Sequence, residues 1–266
     1  FTLASAYALD HANADLTLTL GTFSTGNYTV TTSSGSDIAV NGGTFGAGSS
    51  TMTIAGLLTI AGGTYNGSTS MGTISGAFLL SSGAYNGDTS TPTLSGGLTI
   101  SGGTFTASSG VTTVSGAFTH TAGGTFTHNS GTVAFTGNSA TVDVATSETF
   151  SALTLNKTTG QTLTIASGDT LVMVGTLTLT DGIADGNNFE AQGSVAIGAG
   201  YDGGTASLKF SGGAAQSLNL TGVESIFNGD IEVAKSAETL TLGSALTMDA
   251  VGQDLTITSG TFSTSG

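Results

Sequence analysis

The sequence predicts an all-β fold, a parallel β-solenoid with coils of about twenty residues, on three observations. One motif returns about every twenty residues, each return ends on an aromatic side chain, and glycine rather than proline separates short Val/Ile/Leu/Thr runs. Of the 266 residues, 43 are glycine and 1 is proline, without the three-residue glycine period of collagen.

The clearest unit reads apolar-Thr-apolar, a spacer, Gly-Gly-Thr, then an aromatic. It occurs as Leu58-Thr59-Ile60-Ala61-Gly62-Gly63-Thr64-Tyr65 and as Leu98-Thr99-Ile100-Ser101-Gly102-Gly103-Thr104-Phe105, with variants at Ile38 to Phe45, Phe78 to Tyr85 and Phe118 to Phe126. Phe23, Phe45, Tyr65, Tyr85, Phe105 and Phe126 therefore follow at spacings of 22, 20, 20, 20 and 21. Side chains alternate along a strand, so Leu58 and Ile60 face one side and Thr59 the other. The Gly-Gly corner admits backbone angles that a Cβ forbids. The next coil, about 4.8 Å away, pairs each strand with its equivalent, giving apolar ladders inside and threonine ladders outside. Parallel strands need long connections, which the rest of each coil supplies. At this period the chain makes about thirteen coils.

From about Gly131 a longer period takes over. Phe135-Thr136-Gly137 returns as Phe210-Ser211-Gly212, Leu153 to Lys157 as Ile231 to Lys235, and Thr162 to Ile165 as Thr239 to Leu242, at offsets of 75, 78 and 77. The expected organisation is one continuous solenoid over 1–266, with short-period coils in 1–130 and two copies of a longer unit in 131–266.

Residues 1–26 also align without a gap on 240–265, at an offset of 239 and with 14 identities, Thr2, Leu3, Leu16, Gly21, Thr22 and Phe23 among them. The chain reads as cut from a longer repetitive polypeptide, or as shaped so that one copy continues another. It starts at Phe1 and so reads as a mature or excised product, and no polar cap closes either end, although soluble solenoids usually need one. Leu3, Leu16 and Phe23 at one end, with Leu242, Leu255 and Phe262 at the other, are the candidate self-assembly residues. The partner expected is another copy of the chain, head to tail.

Composition narrows the functions. Lys157, Lys209 and Lys235 are the only cations, arginine is absent and the net charge is −14. No basic stripe exists to displace counterions from nucleic acid, and none to hold anionic lipid. No apolar run is long enough to span a bilayer, so membrane insertion is not expected. Cysteine is absent, which removes disulfides and thiolate metal sites. Hydrophobic residues make up 38% and the mean hydropathy is +0.26, enough for a core and unlike a disordered chain.

With its motif pairs, its Thr/Gly/Ser bias and its lack of cysteine, the chain resembles the repetitive β-solenoid regions of large secreted bacterial surface proteins and adhesins, autotransporter-like passengers included. The resemblance is one of style over nearly the whole chain. It implies a right-handed parallel β-helix exposed on the cell surface, and it carries over no catalytic residues.

An enzyme is not expected. Glycan-cleaving sites need clustered carboxylates with a cation to stabilise developing charge. Lys157 and Lys235 sit at matching repeat positions, which suits a structural role, and His11, His120 and His128 are scattered. His120 takes the place of Ile60 and Ile100, as a core-edge substitution. No cofactor is expected beyond one weak calcium candidate, Asp181, Asp185 and Asn187 in the glycine-rich stretch Asp181 to Asn188. Its spacing fits no calcium motif, and a solvated turn is the simpler reading.

Threonine pairs of the Thr-x-Thr form that suits ice binding occur at Thr17/Thr19, Thr162/Thr164 and Thr239/Thr241. They do not recur in successive coils, where one outward Thr (Thr59, Thr99, Thr119) is the rule, so they read as ordinary strand residues. Phe45, Tyr65, Tyr85, Phe105 and Phe126 form a candidate aromatic ladder. On an exposed groove the tyrosines would hold the rings of a glycan; inside, the ladder anchors the core with its phenol oxygens at the rim. Four of the first six members are Phe, which favours the core. Asn27, Asn66, Asn156 and Asn219 fit the N-glycosylation pattern, which a Ser/Thr-rich chain produces by chance. The function expected is an extracellular structural protein, a filament or cell-surface layer built by end-to-end stacking; the alternative is the stalk of a larger adhesin that binds glycans.

Overall fold

The alternation of Leu58-Thr59-Ile60 becomes, in space, a strand with its leucine and isoleucine fully buried and its threonine turned outward. Repeated coil after coil, this gives an all-β parallel β-solenoid of about 12 coils of about 21 residues. The computed structural model describes residues 1–69, 72–121, 123–222 and 227–264. Among these there is no helix, and so none long and apolar enough to cross a membrane. By compactness the chain divides into two units, Phe1–Val133 and Ala134–Gly266.

The first unit has three parallel ladders, and in two coils a single strand, Leu58–Asn66 or Phe78–Asn86, serves both the second and the third. The first ladder runs through Tyr7–Leu9, Val30–Thr32, Met52–Ile54, Thr73–Ile74, Thr93–Leu94 and Val111–Val114. The second pairs Leu16 with Ile38, then Leu58, Phe78, Leu98 and Phe118, four successive steps of 20 after one of 22. The third pairs Phe23 with Phe45, Tyr65, Tyr85, Phe105 and Phe126. Burying each Leu, Ile or Phe contributes about 1.5–3 kcal/mol, so the repeated inward column is what holds the coils. Between the second and third ladders the chain turns at glycine. Gly103 has φ +70°, and a Cβ there would lie 2.5 Å from the carbonyl oxygen of Gly83 in the coil before it.

The second unit is also parallel, with less even coils. Leu153 pairs with Leu177, Leu177 with Val195 and Val195 with Leu218, steps of 24, 18 and 23. Longer coils are why fewer fit than a strict twenty would give. Strands here continue through corners: Leu177–Ala191 is a single strand of 15 residues that shifts register against its neighbours.

The 78-residue repeat does not return to the same ladder. Leu153 belongs to the column Leu153, Leu177, Val195, Leu218, whereas its counterpart Ile231 lies in the column Leu171, Phe189, Leu208, Ile231, Leu255. Equivalent sequence therefore occupies a different side of the coil.

Candidate functional site

The aromatic ladder is continuous through the first unit. Ring centroids stand 5.5 Å apart for Phe1–Phe23, 5.1 Å for Phe23–Phe45, 4.8 Å for Phe45–Tyr65, 5.7 Å for Tyr65–Tyr85, 4.7 Å for Tyr85–Phe105 and 5.9 Å for Phe105–Phe126, all stacked. Phe78 closes edge-on against Tyr85 and Phe105. Phe45, Tyr65, Tyr85 and Phe105 are fully buried, and Phe126 is half-buried. The phenol oxygens of Tyr65 and Tyr85 lie inside rather than at the rim. Burial raises both phenols well above their ordinary range, and the hydroxyl of Ser90 opposes this at Tyr85. Phe45, Tyr65, Tyr85 and Phe105 are thus core, and neither tyrosine presents its ring to a sugar.

The six candidate assembly residues fall in two groups, three in each unit. In the first unit Leu3 and Phe23 are buried and Leu16 is half-buried. Thr2 bridges Ser24, the Phe1 amine donates to Thr22 O at 2.8 Å, and Leu3 N donates to Ser24 O at 2.9 Å. In the second unit Leu255 is exposed, as is Ile257 beside it, while Leu242 and Phe262 are half-buried. Leu240 pairs with Phe262 and Thr241 with Ser263, matching the placement of Phe1 and Thr2 on Phe23 and Ser24.

The matched lysines are corner clamps. Lys157 and Lys235 are almost fully buried. Lys157 Nζ donates to Thr136 O at 2.9 Å and Asn138 O at 2.8 Å; Lys235 Nζ donates to Ala214 O at 2.7 Å and Gln216 Oε1 at 2.5 Å. Loss of water lowers the Lys157 pKa to about 8, and lowers that of Lys235 against the opposing charge of Glu238. Each lysine is covered by a glycine 25 residues on. A Cβ at Gly182 would stand 2.5 Å from Lys157 Cβ, and one at Gly260 2.7 Å from Lys235 Cβ. Lysine, its acceptors and its covering glycine thus form one module used twice.

The calcium candidates lie within the strand Leu177–Ala191, not in a turn. Asp185 Oδ1 accepts from Thr205 N at 2.9 Å, Asp181 Oδ2 from Thr159 Oγ1 at 3.2 Å, and Asn187 Nδ2 donates to Ala166 O at 2.9 Å. Asp181 and Asn187 tie their coil to the one before and Asp185 to the one after, and among the described residues no three His, Asp or Glu side chains converge on one point. The histidines stay apart: His11 is exposed, His120 is half-buried with Nε2 3.0 Å from Gly123 O, and His128 Nδ1 accepts from Ser130 N. Asn27, Asn156 and Asn219 are exposed, and Asn66 Oδ1 accepts from Asn86 Nδ2 at 2.7 Å.

Two features escaped the sequence reading. One is a polar groove of about 460 Å³ in the second unit, lined by Asn188, Glu190, Lys209, Asp230, Glu232 and Asp254 among others. Lys209 Nζ is 3.5 Å from Glu190, whose other oxygen accepts from Ser211 Oγ at 2.8 Å; Glu232 accepts from Thr258 Oγ1 at 3.1 Å, and Asp230 from Asp254 N at 2.9 Å. The spacing Glu190–Lys209, close to one coil and opposite in charge, was the available signal. The other is in the first ladder, where outward threonines do recur: Thr31 pairs with Thr53, then Thr73, Thr93 and Thr113.

No protein-family model, no curated protein and no solved structure matches the chain. Its chemistry is that of stacking: ring on ring, carbonyl on ammonium, strand on strand.

Proposed function

We propose that the chain is a structural protein that builds an extracellular filament or surface layer by stacking like coils end to end. One observation carries this reading. The stretches 1–26 and 240–264 not only share sequence but seat their first residues alike, Phe1 over Phe23 and Leu240 over Phe262. A coil shaped to follow one stretch is thereby shaped to follow the other. Such a contact joins two different surfaces, does not close on itself, and grows fibres. Ladder hydrogen bonds and apolar area hold it, so it resists salt. The polar groove favours a second reading, the stalk of a larger adhesin whose carboxylates and amides meet glycan hydroxyls.

The test is electron microscopy and light scattering of the concentrated chain beside a Leu255→Asp, Ile257→Asp variant. Fibres from the parent and monomers from the variant are the expected result. A parent that stays monomeric at high concentration, or a variant that polymerises equally, removes the stacking reading and leaves the stalk.

A further inference from the structure

The first ladder of the first unit presents a regular field of hydroxyls. Thr31, Thr53, Thr73, Thr93 and Thr113 stand in one outward column, paired coil to coil with no register shift. Beside it, Thr29, Thr51 and Thr91 precede the central residue by two positions and are exposed. On its other side Ser75, Ser95 and Ser115 continue the same ladder, their amides donating to Ile54 O, Ile74 O and Leu94 O at 2.7, 2.8 and 3.1 Å. The columns are about 6.6 Å apart along the strand and the rows about 4.8 Å apart across it.

Three properties set this face apart. Behind it Ile54, Ile74, Leu94 and Val114 are fully buried, which holds the strands rigid. A threonine has few rotamers, so packing each against its neighbour fixes where the hydroxyl and the methyl point. The central hydroxyls have no hydrogen bond to the protein among the described residues, in contrast to Thr32, whose Oγ1 accepts from Ala55 N at 3.0 Å. And although the chain carries a net charge of −14, no charged residue stands in this field.

A rigid, uncharged lattice of hydroxyls, with the central threonine column uncommitted and each of its hydroxyls beside a methyl group, can hold an ordered layer of water but gives a flexible or charged ligand little to grip. Oxygens in planes of crystalline ice repeat at spacings of the same order as these rows and columns. We propose that the Thr31–Thr53–Thr73–Thr93–Thr113 face binds the surface of ice. The hydroxyls enter the first water layer of the crystal, and the methyls fill the gaps between those waters. The contact uses one face of one unit and does not depend on stacking into fibres.

The test measures thermal hysteresis and inhibition of ice recrystallisation by the full chain, with Thr53→Tyr, Thr93→Tyr and the double variant. Thr99→Tyr, outward on the second ladder, is the control. A tyrosine is tolerated on an outward strand position but stands proud of the field, so the contact is lost without loss of fold. Expected are activity in the parent, its reduction in each single variant, its near-abolition in the double, and its retention in the control, with unchanged circular dichroism and melting throughout. A parent without hysteresis or recrystallisation inhibition overturns the proposal, whatever its fibres do, as does equal loss in the control. Fibre formation is scored separately on the same samples, so an inert face on a polymerising chain defeats this inference alone.

Discussion

Replacing Phe105 by alanine tests the ladder where it is most enclosed. The ring is fully buried, stacked 4.7 Å from Tyr85 and 5.9 Å from Phe126, with Phe78 edge-on at 5.6 Å. Truncation removes the transfer free energy of a buried Phe side chain, about 1.5–3 kcal/mol. It also opens a cavity that rigid neighbours fill only in part, and together these place Phe→Ala losses at about 3–5 kcal/mol. Each lost ring pair adds about 0.5–1.5 kcal/mol beyond area, which sets the expectation in the upper half of that range. Phe126, half-buried in the same stack, should cost less. Urea unfolding followed by circular dichroism gives the ranking. Because solenoid coils contact mainly their neighbours and unfolding need not be two-state, hydrogen exchange should also localise the loss to the coils around 85–126. A Phe105→Ala chain as stable as the parent, or one less affected than Phe126→Ala, refutes a packed ladder.

The buried ammonium gives a second expectation: Lys157→Ala removes the hydrogen bonds to Thr136 O and Asn138 O, at a cost of about 1–3 kcal/mol in all, readable as a fall in the urea midpoint. The third concerns pH. Lys157 titrates near 8 when folded and 10.5 when unfolded, so between these values the unfolded chain binds more protons and stability rises with pH. Tyr65, Tyr85 and Tyr201 have the opposite sign, since their raised folded values mean that the unfolded phenols lose protons first and stability falls above about 10. Urea midpoints measured from pH 7 to 11 should pass through a maximum, and a steady decline from pH 8 would contradict the lysine environment. Fourth, Gly182 and Gly168 both have positive φ, but a Cβ at Gly182 meets Lys157 at 2.5 Å while one at Gly168 meets nothing within 4 Å. Ala at Gly168 should cost about 1–2 kcal/mol of backbone strain and Ala at Gly182 distinctly more, so equal melting shifts would count against the lysine–glycine module.

Where each coil repeats its length, the sequence announced the architecture. The corner motif ending on an aromatic at steps of twenty places Phe45, Tyr65, Tyr85 and Phe105 in the register they hold in the fold. The second unit was opaque because its steps of 24, 18 and 23 move equivalent residues off any fixed row. The threonine face was missed for another reason. Its strands carry no glycine or aromatic landmark, although Thr53, Thr73, Thr93 and Thr113 stand twenty apart and would have lined up had the chain been written in rows of that length. That the lysines were structural could be read from their matched positions. That their charge is spent on oxygens of the coil before could not, because three of the four acceptors are backbone carbonyls, which any residue supplies; the fourth is Gln216 Oε1.

The ladder change between Leu153 and Ile231 bears on how a repeated segment fits this fold. The segment returns after 78 residues without completing a whole number of coils, and so falls one side short of the Leu153 ladder, which Leu242 next occupies. Both occurrences hold a lysine, oxygen acceptors in the coil before and a covering glycine, because that module asks only for a strand, a corner and a coil on either side. The sides of the coil are interchangeable hosts for the same segment. A repeat in this unit therefore need not be in phase with the coils that carry it.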